Sequence, residues 1–184
     1  MKNLSVKKRL FEADALRARV VALAGDMAAQ YAGREVILIG VLRGSFVFLA
    51  DLVRELYHHG VAVQIDFMTL ESYGSNTVSK GVVHSAKPFS IEVSGREVVL
   101  VDDILDTGRT LEFARRQILE SGAVHCRTCV LLDKPSRRVV PMEADFVGFL
   151  VPDIFVVGYG LDFNGRCREW PFLAELNLEA CHGG

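Results

Sequence analysis

Short apolar runs alternate with longer amphipathic segments along most of this chain. Four runs rich in β-branched and other apolar residues predict strands that are buried on both faces of a parallel sheet. These runs are Glu35–Val41, Val61–Leu70, Val98–Val101 and Cys126–Leu132. Apolar residues at helical spacing predict helices over Ala13–Tyr31, Phe46–Tyr57 and Leu111–Glu120. The alternation predicts an α/β fold with a mostly parallel, doubly wound sheet flanked by helices, whose ligands bind at the carboxyl ends of the strands.

Three stretches interrupt this alternation. The segment ESYGSNTVSKGVVHS, from Glu71 to Ser85, is polar and weakly periodic, and a long irregular connection inside a compact domain is usually a lid or an insertion. Short strand candidates follow at Asp145–Leu150 and Ile154–Gly158, and the sequence of Tyr159–Arg168 is typical of a loop. The sequence has no repeat or interdomain linker, so we expect residues 1–184 to form a single domain.

Composition narrows the class of partner. Half of the 184 residues are hydrophobic and 24% are charged, which is typical of a globular protein. The net charge of −2 and the pI of about 6.2 indicate no basic surface for a nucleic acid. No apolar run approaches the roughly 18 residues of a membrane span, and the first residues lack the apolar core of a signal peptide. We therefore expect neither a nucleic acid nor a membrane as partner.

The cysteines indicate a reducing compartment. They stand at Cys126, Cys129, Cys167 and Cys181, and the first two have CxxC spacing inside a strand-like run. Without a second pair or a suitably spaced histidine, reduced structural cysteines are a better interpretation than a zinc site or a redox pair. We expect a cytoplasmic protein.

The stretch VVLVDDILDTGRTL, from Val98 to Leu111, contains the most informative chemistry. Its strand runs into Asp102 and Asp103, where we expect the strand to end, and a glycine-containing turn at 106–110 then leads into a helix. Amides at a helix N-terminus bind phosphate, and carboxylates bind sugar hydroxyls or Mg²⁺. An ordinary strand–turn–helix with solvated acids and a helix cap is the alternative interpretation.

A second strand–turn–helix unit precedes this stretch. Arg43 and Gly44 follow the strand that ends near Val41, and the glycine would let backbone amides approach an anion closely. Taken alone, the segment could equally be a plain turn with a solvated arginine.

The order of residues resembles a known signature. An apolar strand, two acids, two apolar residues and then Asp106-Thr107-Gly108-Arg109-Thr110 resemble the signature of the type I phosphoribosyltransferases. Four further blocks, VLRGSFVFLADL, DFMTLESYGS, LLDKPSRR and VGFLVPDIFVVGYGLDFN, are similar to the hypoxanthine (hypoxanthine-guanine) phosphoribosyltransferases, particularly the bacterial ones. The resemblance runs from about Val36 to Arg168. It implies a core of about residues 34–160 and a small hood over the base, built from the N-terminal residues and about 160–184.

The resemblance also implies the reaction. Phosphoribosyl pyrophosphate would bind with Mg²⁺, N9 of a purine would attack C1′, and pyrophosphate would leave through an oxocarbenium-like transition state. Asp102 and Asp103 would hold the ribose hydroxyls and the metal, although the first acid is often Glu in the family. Residues 106–110 would bind the 5′-phosphate, and Asp106 would also accept a proton near N7 of the purine. An N-cap role for Asp106 could hold at the same time.

Three residues match the family's base site. Lys134 would donate to the exocyclic O6, and a cation without acceptor capacity favours a 6-oxopurine over adenine. Phe155 would stack on the base and Val156 would meet its edge through the backbone. Without the resemblance, Lys134 is better interpreted as a solvated lysine, and Phe155 could equally belong to the core.

The remaining matches concern pyrophosphate and the lid. Arg43 takes the place where many relatives have Lys in the pyrophosphate loop, which commonly carries a non-proline cis peptide, here between Leu42 and Arg43. Asp162 matches a second magnesium ligand and Arg168 an arginine that binds pyrophosphate. The lid residues of the family correspond to Ser72 and Tyr73.

Other functions stay open on the sequence alone. A xanthine or pyrimidine phosphoribosyltransferase, an RNA-binding regulator that kept the fold, and a phospho-accepting domain using Asp102 or Asp103 are the alternatives. The low pI argues against the regulator, and the phospho-accepting interpretation leaves Lys134 and residues 106–110 unexplained. The preference among hypoxanthine, guanine and xanthine stays open, and the family is usually dimeric or tetrameric.

Overall fold

The computed structural model of the chain describes residues 5–72, 83–87 and 89–177. The helices are α1 (Ala13–Tyr31), α2 (Phe46–His58) and α3 (Arg109–Glu120), with a short 3₁₀ turn at Pro135–Arg137. The strands are β1 (Val6–Phe11), β2 (Glu35–Leu42), β3 (Ala62–Ser72), β4 (Val83–Lys87), β5 (Glu97–Leu105), β6 (His125–Asp133), β7 (Phe146–Leu150), β8 (Val156–Val157) and β9 (Leu173–Leu176). The three predicted helices and the four longer predicted strands are therefore present, with bounds that differ by a few residues.

The larger sheet is mostly parallel, as predicted. Its six strands lie in the order β4-β3-β2-β5-β6-β7, and only the pairing of β4 with β3 is antiparallel. The register places Ile39 of β2 beside Leu100 of β5, and Val101 of β5 beside Cys129 of β6. The predicted α/β fold class is confirmed.

Alternate side chains of the central strands pack on opposite faces of this sheet. Val36 and Leu38 belong to the core that contains the apolar stripes of α1 and α2, whereas Ile37 and Ile39 belong to the core beneath α3. All four are fully buried. Burial on both faces explains why the strands are continuous apolar runs rather than alternating ones.

No helix among the described residues is long and apolar enough to cross a membrane.

A second, three-stranded antiparallel sheet is built from both ends of the described chain, in the order β1-β9-β8. Neither β1 nor β9 shows in the hydrophobic pattern, because β1 carries Lys7, Lys8 and Arg9 on exposed positions. Within the predicted strand Ile154–Gly158, the two residues of β8 form the observed strand. It pairs with β9 and not with the main sheet. Strands β1 and β9 belong to the parts of the chain expected to form the hood, whereas β8 belongs to the expected core of about 34–160.

Two expectations around the acidic stretch are wrong. Strand β5 does not end at the acids but continues to Leu105, because its ladder with β6 pairs Asp102 with Val130 and Leu105 with Asp133. Asp106 is not the N-cap of α3, since that position is Gly108, whose φ of 84° is in the left-handed region. The acids therefore lie within the strand, and the three residues 106–108 separate it from the helix.

Candidate active site

The strand order reverses between β2 and β5. The chain leaves β2 through α2 to reach β3 on one side, and leaves β5 through α3 to reach β6 on the other. In doubly wound sheets the crevice outside the carboxyl ends of two such strands is the usual ligand site. The structure thus brings together the two polar turns that the sequence singles out, 43–44 after β2 and 106–110 after β5.

The turn at 106–110 has the form of an anion site. Gly108 allows the sharp entry into α3, and a Cβ there would lie only 2.8 Å from Val140 Cγ2. The N–H groups of Val139 and Val140 donate to the carbonyl of Thr107 from the other side, at 3.0 and 3.3 Å. The first N–H groups of α3 lack helical acceptors, as at every helix N-terminus, and are available to a phosphate.

The acid pair lies beside this turn. Asp102 is buried, and its Oδ1 accepts the backbone N–H of Asp103 at 2.9 Å. Burial, followed by the neighbouring charge of Asp103, raises the pKa of Asp102 well above its ordinary value, and burial likewise raises the pKa of Asp103. Two ionised carboxylates at this position need a cation, and a hard divalent ion with oxygen ligands is the natural one.

Two close approaches at glycines connect the turn after β2 to Asp103 and to Gly160. A Cβ on Gly44 would lie 1.5 Å from Asp103 Oδ2, and a Cβ on Gly160 would lie 2.1 Å from the carbonyl oxygen of Gly44. The guanidinium of Arg168 donates to the carbonyl of Gly160 at 2.6 Å and pairs with Asp162 at 2.6 Å. The peptide between Leu42 and Arg43 is cis, as the resemblance implies.

Lys134 is buried and not solvated. It follows directly after β6, and only 7% of the residue is exposed to solvent. Its Nζ donates to the carbonyl of Ile154 at 2.7 Å. No carboxylate of the described residues lies within 4.0 Å of this ammonium group, so none of them forms a salt bridge with it. Phe155 and Val156 come directly after Ile154, so the lysine is held beside both residues predicted to contact a base. Phe155 is 40% exposed and meets Phe163 edge-on, which is not the environment of a core residue.

Some predicted site residues are not brought together. Asp162 pairs with Arg168, and its other oxygen accepts the N–H of Gly165 at 2.7 Å. No group of three His, Cys, Asp or Glu within the described ranges is arranged to hold one metal ion, so Asp162 does not complete a site with Asp102 and Asp103. Tyr73 lies outside the described residues, and Ser72 is the last residue of β3.

This geometry agrees with the comparisons with known proteins. Residues 7–164 match the phosphoribosyl transferase domain family, which is most of the chain. The chain belongs to this family. The family assignment argues against the interpretation of Asp102 or Asp103 as a phospho-accepting residue.

The similar proteins include phosphoribosyltransferases that are named for hypoxanthine. The hypoxanthine-guanine phosphoribosyltransferase of Streptococcus pneumoniae is 38% identical over 174 residues, which cover 95% of each chain. The hypoxanthine phosphoribosyltransferase of Salmonella typhimurium is 41% identical over 165 residues, 89% of this chain and 91% of that one. The bifunctional protein TilS/HprT of Listeria innocua is 40% identical over 174 residues, and there the chain spans only 26% of the relative's length.

Solved structures give the same result. The hypoxanthine-guanine phosphoribosyltransferase of Bacillus anthracis superimposes with a TM-score of 0.86 at 37% identity, covering 95% of this chain and 99% of that one. The hypoxanthine phosphoribosyltransferase of Trypanosoma cruzi superimposes with a TM-score of 0.90 at 36% identity, covering 96% and 94%. The predicted resemblance to this group of phosphoribosyltransferases is confirmed.

Sequence reasoning missed the charged residues that surround the predicted ones. Arg137 donates from Nε to Asp106 Oδ1 at 3.1 Å, and Arg138 contacts both Asp106 and Asp133. These residues stand in the block LLDKPSRR, directly after a strand at its carboxyl end, and that position is the signal that could have indicated them.

Proposed function

We propose that the chain transfers the 5-phosphoribosyl group from phosphoribosyl pyrophosphate to N9 of hypoxanthine, and also of guanine, giving IMP or GMP and pyrophosphate. This is a pentosyl transfer in purine salvage. The observation that carries the proposal is the buried ammonium group of Lys134, held by one backbone carbonyl and unpaired with any carboxylate of the described residues. The backbone N–H of Lys134 also donates to the carbonyl of Leu105 at 3.0 Å. The lysine therefore lies next to the turn at 106–110, which we call the phosphate turn.

The environment of Lys134 favours a 6-oxopurine. A buried ammonium needs acceptors, and the exocyclic O6 of hypoxanthine or guanine is one, whereas the amino group of adenine is a donor. Phe155 is exposed enough to stack on the base, and the backbone of Val156 can pair with its edge. A base that leaves the lysine unpaired is rejected strongly, because its desolvation is then not compensated.

The neighbouring turns suit phosphoribosyl pyrophosphate. We assign residues Asp106, Thr107, Gly108, Arg109 and Thr110 to the 5′-phosphate, and Asp102 and Asp103 to the ribose hydroxyls. Arg43 and Gly44 follow β2 and would meet the pyrophosphate together with Arg168. Arg43 and Arg109 are exposed, so their charges are available to an anionic substrate before it is bound.

The donor set also fits Mg²⁺. Asp102 and Asp103 offer desolvated carboxylate oxygens, and Mg²⁺ is usually held by one or two carboxylates together with substrate oxygens. Asp162 stands apart from this pair and would hold a separate ion on the pyrophosphate side. When bound, the metal neutralises charge on the leaving pyrophosphate.

The chain's own residues position the reactants and move one proton. Asp106 would take up the acidic proton at N7 as the purine attacks C1′, and Arg137 holds its carboxylate in place at 3.1 Å. Asp102 and Asp103 face a ribose that gains positive charge, which they stabilise electrostatically. Ser72 and Tyr73 would belong to the lid that excludes water.

We further propose a homodimer or homotetramer in the cytoplasm. Cys126 and Cys129 are buried thiols, and burial raises the pKa of Cys126 to about 12. Structural thiols of this kind are typical of a reducing compartment.

The decisive experiment incubates the protein with phosphoribosyl pyrophosphate and Mg²⁺ and supplies each base separately. IMP from hypoxanthine and GMP from guanine, with no AMP from adenine, is the expected result. XMP as the main product would indicate a xanthine enzyme, and UMP a pyrimidine enzyme. No nucleotide from any base, together with binding to RNA, would indicate the regulator.

A further inference from the structure

Arg138 donates hydrogen bonds to three acceptors on two separate segments. Its guanidinium contacts the carbonyl oxygen of Leu105 at 3.1 Å, the carbonyl oxygen of Asp106, and the carboxylate of Asp133. The first two acceptors open the phosphate turn after β5, and the third is the last residue of β6, directly before Lys134. One side chain therefore connects the start of the predicted phosphate site to the end of β6, next to Lys134, which is proposed to contact the base.

The residues that follow Arg138 close around the same turn. We call residues 134–142 the strap. Its backbone donates to the carbonyl of Leu105 from Lys134 and to the carbonyl of Thr107 from Val139 and Val140. The side chain of Arg138 itself lies over Gly108, since a Cβ there would be 3.2 Å from Arg138 Cδ. The strap thus satisfies the outward carbonyls of the turn and fixes its conformation.

We propose that Arg138 is a positioning residue, which holds the phosphate turn and Lys134 in register so that the 5′-phosphate and the purine are bound at the correct separation. This inference rests on the proposed function. Arg138 is assigned no contact with a substrate. It acts through the carbonyls of Leu105 and Asp106 and through the carboxylate of Asp133.

The chemistry of the site explains why this residue is arginine. The side chains of Arg138 and Asp133 are only 16% and 12% exposed. A guanidinium presents five donors in a rigid plane and can serve several acceptors at once, whereas an ammonium is a point charge that cannot span them. Lysine at 138 would compensate the charge of Asp133 but leave the carbonyls of the turn without their donor.

The test separates positioning from plain stability. The variants are R138M, R138K, D133N and R138M/D133N, with R116M as the matched control on the exposed face of α3. Each is measured for Tm, for kcat and KM toward phosphoribosyl pyrophosphate with hypoxanthine, and for ribose 5-phosphate binding by calorimetry. Ribose 5-phosphate reads the phosphate turn without the base and without turnover.

We expect R138M to lower kcat/KM about 10- to 100-fold and to weaken ribose 5-phosphate binding about tenfold, the range for residues that orient a site. It should also lower Tm, because Asp133 is left buried and unpaired. R138M/D133N removes that orphaned carboxylate and should regain most of the Tm but none of the kcat/KM. R138K should keep Tm near the wild-type value while its kcat/KM stays about tenfold low, and R116M should change neither.

Two outcomes would overturn the inference. If R138M/D133N regains kcat/KM together with Tm, Arg138 acts only through stability. If R138K, or R138M where it folds, stays within about threefold of the wild type in kcat/KM, the turn does not depend on the guanidinium. A wild-type protein without turnover refutes the proposed reaction instead, and ribose 5-phosphate binding by the variants still reports on the turn.

Discussion

The carboxylate of Asp103 lies directly against the backbone of Gly44, so closely that a Cβ on Gly44 would be 1.5 Å from Asp103 Oδ2. Any side chain at position 44 must displace the acid or the turn after β2. We expect G44A to lower kcat/KM for phosphoribosyl pyrophosphate about 100-fold, the usual consequence of a misplacement near 1 Å.

Gly25 provides the matched control for this substitution. It lies inside α1, where an added Cβ would meet only His59 at 3.8 Å, an ordinary contact. G25A should keep full activity and gain up to about 1 kcal/mol of stability, because alanine favours a helix. Activity of G44A within threefold of the wild type would show that Asp103 can move without consequence.

Replacing Lys134 with Met keeps the length of the side chain and removes its donors. We expect kcat/KM for hypoxanthine to fall by about 1.5–3 kcal/mol of transition-state stabilisation, the range for a hydrogen bond to a charged group. Steady-state kinetics with hypoxanthine as the varied substrate measure the loss. K8M, on an exposed position of β1, is the control and should be silent. A K134M variant within twofold of the wild type would exclude Lys134 as the residue that reads O6.

Replacing Asp106 with Asn keeps its size and its ability to accept from Arg137 while removing the base. We expect kcat to fall about 10²–10⁴-fold, the usual contribution of a positioned general base. Binding of phosphoribosyl pyrophosphate should change little, because asparagine keeps the size of Asp106 and its hydrogen bond from Arg137. Equal losses in kcat and in that binding would instead mean that Asp106 shapes the phosphate turn.

Asp153 offers the control for this substitution. It pairs with the same arginine as Asp106, at 3.6 Å, and is half-exposed. D153N should leave kcat near the wild-type value, since it disturbs Arg137 without touching the proposed base.

Removing one charge of the buried acid pair should stabilise the free protein. Burial raises the pKa of Asp102, so the folded state favours the protonated carboxyl. The stability that this group contributes is complete below the ordinary value of 3.8 and is lost as the pH rises through the raised pKa. Asn at position 102 keeps an oxygen for the N–H of Asp103 and carries no charge. D102N should therefore raise Tm at pH 8, by about 2–4 °C for each kcal/mol, and the gain should vanish near pH 3.

Thermal unfolding of D102N at the two pH values, without Mg²⁺, is the measurement. D14N removes an exposed acid from the first turn of α1 and should not raise Tm at either pH, because a negative charge there favours the helix. A D102N variant that is less stable than the wild type at pH 8 would show that the pair is compensated by groups of the protein itself.

The helices and central strands could be predicted because their signal is local. Residues of α1 on one face, such as Leu16, Val20 and Leu23, recur at helical spacing and are fully buried. The continuous apolar run of β2 marks a strand covered on both faces, and its helices confirm this. The chemistry of residues 102–110 was equally evident, since two acids and a glycine turn stand next to one another in the chain.

The exact ends of the elements were less accessible. Strand β5 passes through both acids because β6 pairs with it as far as Leu105 and Asp133, and that ladder joins residues far apart in the sequence. The basic residues of β1 obscure its strand pattern, and its partner in the described part of the chain is β9, more than 160 residues later. A strand that owes its existence to a distant partner leaves little periodicity of its own.

The sequence by itself determined the α/β class, the order of its elements and the residue types that a phosphoribosyl group would need. The tertiary structure alone decided that Gly44 lies against Asp103, that Lys134 is buried without a carboxylate partner among the described residues, and that Arg138 connects two strand ends. The physical reason is that local patterns depend on neighbours within a few residues, whereas these contacts arise where parallel strands end at one edge of the sheet. That edge brings together residues as far apart in the sequence as Gly44 and Asp103, or Leu105 and Arg138, and burial there fixes charges that a chain in water would leave solvated.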